Sequence, residues 1–229
     1  MIDAYGRKIS YLRLSVTEQC NLRCRYCMPA DGSCPKRRED MLTQKEMLSA
    51  VRAAAELGIS KLRITGGEPL VNRDILDICR GAAKTEGIKE LCITTNGILL
   101  PQLARPLKEA GVDRVNLSLD TLRDEKYAYI TRCGTLNMAK KGLEAALSAG
   151  FEKVKINTVL IGGFNDDEIP ALAELTRQYP VDVRFIELMP MVDGGEFGPE
   201  AFIPCSVVTE KLPELEKEPQ DSGVARLYR

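Results

Sequence analysis

The chain has 229 residues, 44% apolar and 28% charged, with a formal charge of −1 and a pI near 5.8, which fits one folded domain and excludes a disordered or fibrous chain. That balance supplies no broad cationic surface, so non-specific nucleic-acid binding is not expected. No apolar run approaches the roughly 20 residues that span a bilayer, and "MIDAYGRKIS" lacks the order of a signal peptide, so no membrane partner and a cytoplasmic location are expected.

In chain order, the β-branched run "LRLSVTE" (12–18) reads as a strand and leads into "CNLRCRYCMP". A helix follows from Thr43, with a capping box from Thr43 to Glu46, apolar positions at Met47, Leu48, Val51, Ala54 and Ala55, and a C-cap near Gly58. Further strands are "KLRITGG" (61–67), "ELCITTNG" (90–97), "RVNLSLD" (114–120), "KVKINTVLI" (153–161) and "VDVRFIEL" (181–188). Between them, "PQLARPLKEAG" is a helix that Pro106 should kink or split. Thr135 to Gly150 carries Ala139, Leu143, Ala146 and Leu147 on one face, and Asn165 to Tyr179 is helical if Pro170 falls in its first turn. Residues 193–219, richer in Gly, Pro and Glu, read as irregular.

Strands alternating with helices imply parallel βαβ units. Six units predict an α/β fold, an incomplete (βα)6 TIM-like barrel over residues 1–190, followed by an irregular segment over 191–229. Ligands of such barrels meet the C-terminal ends of the strands, and those ends are marked by Gly66, Gly67, Glu68 and Pro69, by Thr95, Asn96 and Gly97, and by Gly162 and Gly163. Arg13, Arg63 and Lys155 each interrupt an apolar strand, where period-two alternation turns them away from the apolar face. They are either solvated or ion-paired strand charges, or cations that await an anion inside the barrel, where a lone charge is costly.

There are eight cysteines and no histidine, which rules out Ser-His-Asp and Cys-His catalysis and any histidine-ligated metal. Cys79 and Cys92 lie in apolar patterns and read as packing residues. Cys20, Cys24 and Cys27 form C-x3-C-x2-C. Zinc would need a fourth ligand, with Cys34 as the candidate, whereas three thiolates on an iron-sulfur cubane leave one iron open to an outside ligand. The absence of a second C-x2-C knuckle favours iron-sulfur.

"CNLRCRYC" with "GGEP" resembles the signature of radical S-adenosylmethionine (SAM) enzymes, and the ordered series "LRITGGEPL", "ITTNG", "VNLSLD", "VKINTV", "GFNDDE" and "VRFIELMP" is similar to the GTP 3',8-cyclase family of molybdenum cofactor biosynthesis. The resemblance implies a radical SAM barrel with Cys20, Cys24 and Cys27 holding a 4Fe-4S cluster, Tyr26, Gly67, Ser118 and Met189 meeting SAM, and Arg13, Arg63, Thr94 and Lys155 meeting GTP. It implies a lyase that takes hydrogen from C3' of GTP and closes that carbon onto C8, giving 3',8-cyclo-7,8-dihydro-GTP. An electron donor, a homodimeric assembly and a downstream cyclic pyranopterin synthase are the further expected partners. Family members continue into a segment with three more cysteines for a second cluster, so the sequence as given is expected to hold one cluster and to be impaired in turnover. The alternatives are another radical SAM activity on a peptide or small metabolite, and a non-catalytic cluster or zinc module.

Overall fold

The computed structural model describes residues 2–31, 41–189, 196–219 and 225–229. Its sheet has six strands, β1 (Tyr11–Ser15), β2 (Lys61–Thr65), β3 (Glu90–Thr95), β4 (Arg114–Ser118), β5 (Lys153–Leu160) and β6 (Val181–Glu187). They pair in sequence order, every neighbour parallel, with Arg13 opposite Arg63, Arg63 opposite Cys92, Asn116 opposite Lys155, and Asn157 opposite Arg184. This is the partial barrel that the alternation predicts.

The helices are α1 (Gln44–Glu56), α2 (Ile75–Ala83), α3 (Leu100–Glu109), α4 (Asp124–Thr131), α5 (Leu136–Ser148), α6 (Ile169–Gln178) and α7 (Ser206–Lys211). The first opens on the expected capping box: the Thr43 hydroxyl accepts from the Glu46 N–H, and the Glu46 carboxylate accepts from the Thr43 N–H at 2.8 Å. Of the expected kink or split at Pro106, the split does not occur. The proline lies inside α3, whose face of Leu100, Ala104 and Leu107 is buried, and that burial outweighs the ~3 kcal/mol a mid-helix proline costs. Pro170 sits in the first turn of α6, where its missing N–H is harmless. The irregular reading of 193–219 is also too plain, because α7 and a 3-10 turn at Pro199–Ala201 lie there, and Lys217 bridges Tyr228 antiparallel.

Period-two alternation divides each strand between two faces. Leu62, Ile64, Leu91, Ile93, Val115, Leu117, Val154 and Ile156 point to the helices and form the main core with Val51, Ile78, Leu107, Ala139 and Leu172. The alternate positions line the inner face with polar residues. Among the described residues no helix is long and apolar enough to cross a membrane.

Helix α5 approaches the mouth closely: a Cβ on Gly142 would lie 2.2 Å from the Gly97 carbonyl oxygen. Gly142→Ala should gain the ~1 kcal/mol of helix propensity yet lose more to the clash, a net destabilisation of about 1–2 kcal/mol. The urea midpoint of the metal-free chain is expected to fall; an unchanged or higher midpoint would contradict this close packing.

Candidate active site

The loop after β1 carries the three cysteines and rests on the turn after β2. The Gly67 N–H donates to the Thr17 carbonyl at 2.7 Å and the Glu68 N–H to the Gln19 carbonyl at 2.8 Å. A Cβ on Gly67 would meet the Gln19 and Glu18 carbonyl oxygens at 2.4 and 2.6 Å, so only glycine allows this seat. Asn96, after β3, donates to the Asn21 side chain at 2.7 Å, and the Leu22 N–H points at the Cys20 sulfur at 3.3 Å. Glu68 is buried and ties two strand ends together, accepting from the Leu70 N–H, the Thr95 hydroxyl and the Asn96 N–H at 3.0, 2.7 and 2.7 Å.

Cys20 and Cys24 are half-buried and Cys27 is exposed. Burial raises the pKa of the Cys20 and Cys24 thiols, reinforced at Cys24 by the charge of Asp120 and then of Cys27 and Cys20. Three thiols close enough to feel one another's charge, beside two buried carboxylates, are a donor set whose chemistry fits a bound cluster. Among the described residues no trio of Cys, Asp or Glu closes around a point suited to a single ion, and Cys34 lies outside them. Tyr26 packs with Ile130, Ile161, Leu188 and Ala201. Its hydroxyl donates to Asp120 at 2.8 Å, and the other Asp120 oxygen accepts from the Val159 N–H at 2.9 Å.

The inner face is cationic towards the mouth. Arg13 and Arg63 flank the Tyr11 ring, at 5.8 and 5.3 Å from its centroid. Arg63 is 9% exposed, its Nε has no hydrogen-bond partner, and its pKa is lowered chiefly by burial. With its amide oxygen turned inward, Asn116 accepts from both terminal nitrogens of Arg63 at 3.3 Å. The charges of Arg13 on β1 and Arg184 on β6 also depress Arg63, so each lies within electrostatic reach of it. Lys155 instead pairs with Asp182 at 2.8 Å, the ion-paired alternative that its sequence pattern also allowed. At the opposite end of the strands, Glu90 takes Lys61 at 2.8 Å and Arg114 at 2.7 Å.

Thr94 and Ser118 lie on the same face as Asn116, whereas Met189 is 70% exposed and no described residue covers it. A family model of the radical SAM superfamily matches residues 14–176. The chain belongs to the radical SAM superfamily. It is 50% identical to a GTP 3',8-cyclase of Peptoclostridium acidaminophilum, over all of this chain and 71% of that protein, and 46% identical to one of Alkaliphilus oremlandii over all of this chain and 72% of that one. These place it in the GTP 3',8-cyclase family. The radical SAM fold is shared with the hydrogenase maturase HydG (TM-score 0.68, 18% identity, 87% of this chain and 47% of that one). It is shared also with Streptococcus suis SuiB bound to S-adenosylmethionine (TM-score 0.67, 19% identity, 90% and 47%).

Arg184 and Asp120 were not singled out in the sequence, and Glu68 and Asn96 were read there only as marks of strand ends. Arg184 carries the same signal as Arg63, a charge alternating with apolar neighbours in "VDVRFIEL". Glu68, Asn96 and Asp120 follow strands as ordinary turn residues would, and only their buried partners distinguish them.

Burial lifts the Asp120 carboxyl from 3.8 to about 6. The native chain therefore holds this proton more tightly than the unfolded one, so the stabilising contribution is complete below about pH 4 and is lost as pH rises through about 6. In the metal-free chain, the denaturation midpoint should fall between pH 4 and 6 by an amount that Asp120→Asn removes; parallel pH profiles for the two chains would refute this.

Proposed function

We propose that the chain is a radical SAM lyase converting GTP to 3',8-cyclo-7,8-dihydro-GTP at the mouth of its partial barrel, a step in molybdenum cofactor biosynthesis. The observation that carries the nucleotide half is the buried guanidinium of Arg63, which meets only the neutral Asn116 amide and whose Nε has no hydrogen-bond partner among the described residues. Keeping an ion out of water costs several kcal/mol, and the charge is retained at that cost because an anion meets it.

Arg13 and Arg184, within electrostatic reach of Arg63, extend this into a cradle for the triphosphate. Thr94 supplies a hydroxyl on the same wall, and Lys155 adds a cation steered by Asp182. Cys20, Cys24 and Cys27 hold one 4Fe-4S cluster, and Tyr26, Gly67, Ser118 and Met189 form the SAM side of the site. When bound, the cluster and SAM supply the one-electron chemistry that begins at C3' of GTP. Gly67 keeps the cysteine loop against the strand ends, and Asp120 fixes the Tyr26 ring. An external reductant is the further partner, a cyclic pyranopterin synthase takes the product, the residues 1–190 form the barrel unit, and the cytoplasm is the location.

Two measurements test this reading. The anaerobically reconstituted chain with SAM and dithionite should release 5'-deoxyadenosine; iron-loaded protein that leaves SAM intact would refute the radical assignment. Arg63→Met should weaken GTP binding by about 10- to 100-fold in calorimetry. The same substitution should leave the melting temperature of the free chain unchanged or raise it, because it removes a buried charge. Equal GTP affinity in the two chains would exclude Arg63 as a phosphate ligand.

A further inference from the structure

We propose that Arg132, held by Glu196, is a positioning residue that sets the separation of Cys24 and Cys27 before any cluster is present. The proposal rests on the reading that these thiols are cluster ligands. Between them the chain makes a turn in which the Cys24 carbonyl accepts from the Cys27 and Met28 N–H groups at 2.9 and 3.1 Å. Ahead of the turn, the Arg23 and Arg25 N–H groups donate to the Thr131 and Ile130 carbonyls at 3.1 and 2.9 Å, so the cysteine loop runs along the end of α4.

Arg132 is the next residue after that helix and, among the described residues, the one non-glycine with positive φ, at 62°. An arginine there costs about 1–2 kcal/mol that glycine would avoid, so the corner is kept in arginine for its side chain. One terminal nitrogen of that side chain donates to both the Arg23 carbonyl and the Met28 carbonyl, the latter at 3.1 Å. These carbonyls immediately precede Cys24 and follow Cys27, and a single guanidinium therefore brackets the turn. Its other terminal nitrogen binds the Glu196 carboxylate, whose second oxygen takes Arg25. Arg25 stacks on Tyr129 at 4.0 Å and donates through Nε to the Tyr129 carbonyl at 2.8 Å, and the Glu196 N–H returns to the Arg25 carbonyl at 2.8 Å. Glu196 lies after β6 and the cysteines after β1, so this carboxylate also joins the two ends of the open sheet at its mouth.

A planar fork anchored at three points cannot be replaced by an ammonium, and loss of such a support costs a metal site about 10- to 100-fold in affinity. The test uses wild-type, Arg132→Gly, Arg132→Lys and Glu196→Gln chains, each loaded anaerobically with iron and sulfide. Iron release to ferrozine and the EPR spectrum of the reduced cluster are read beside the melting temperature of the metal-free chain. Arg132→Gly, which relieves the backbone, should melt at or above the wild-type temperature yet release iron at least ~10-fold faster, with a broadened spectrum. Arg132→Lys should rescue this only in part, and Glu196→Gln, a conservative change at a partly exposed side chain, should show a smaller increase. Wild-type release rates and spectrum in Arg132→Gly, or faster release that merely tracks a lower melting temperature, overturn the proposal. A wild-type chain that takes up no iron overturns the cluster reading beneath it.

Discussion

Parallel strands that end together leave a row of backbone groups with no ladder to join, and the rest of this molecule depends on how those groups are satisfied. Three buried carboxylates do much of it. Glu68 gathers the starts of two loops, after β2 and β3. Glu168 does the same for the loop after β4, accepting from the Thr121 hydroxyl and the Leu122 N–H at 2.7 and 2.8 Å. Asp120 joins β4 to β5 and reaches Tyr26 on the cysteine loop. Buried carboxylates are costly unless their lone pairs are filled, and filling them here fixes the loops from which the site is built.

The site therefore combines two opposite electrostatic conditions. Around the cysteines, Asp120 and Glu68 adjoin three thiols, and the guanidiniums nearby are engaged with backbone carbonyls and Glu196. Deeper on the inner face, no carboxylate among the described residues pairs with Arg63. In the proposed reading a cluster answers the first imbalance and a polyanionic nucleotide the second, and β2 reaches both regions, through Gly67 and Arg63. That reading needs no separate domain for either ligand, because both regions lie on one sheet.

How much of this could be read from the residues follows from the range of the interactions. The Thr43–Glu46 box is local, three residues apart, and its pattern was sufficient. The same holds for the strand alternation that turns Arg63 inward. Pro106 misled because its effect is opposed by the burial of Leu100 and Leu107, a tertiary term absent from a local pattern. Asp120 and Arg132 were illegible for a related reason: their partners lie 94 and 109 positions away, at Tyr26 and Arg23. Lys155 shows the limit on the other side, where alternation gave the face but not that Asp182 shares it.

The ion pairs around Glu90 have a bearing on how a ligand arrives. One carboxylate there meets two cations and offsets part of the charge at the floor of the inner face, while the guanidiniums of Arg13, Arg63 and Arg184 lie above it. The inner face of this near-neutral chain is therefore locally positive. Diffusional capture of a multiply charged anion is then rapid in dilute buffer and slows as added salt shortens the Debye length towards ~8 Å, although the molecule as a whole has almost no net charge to steer with.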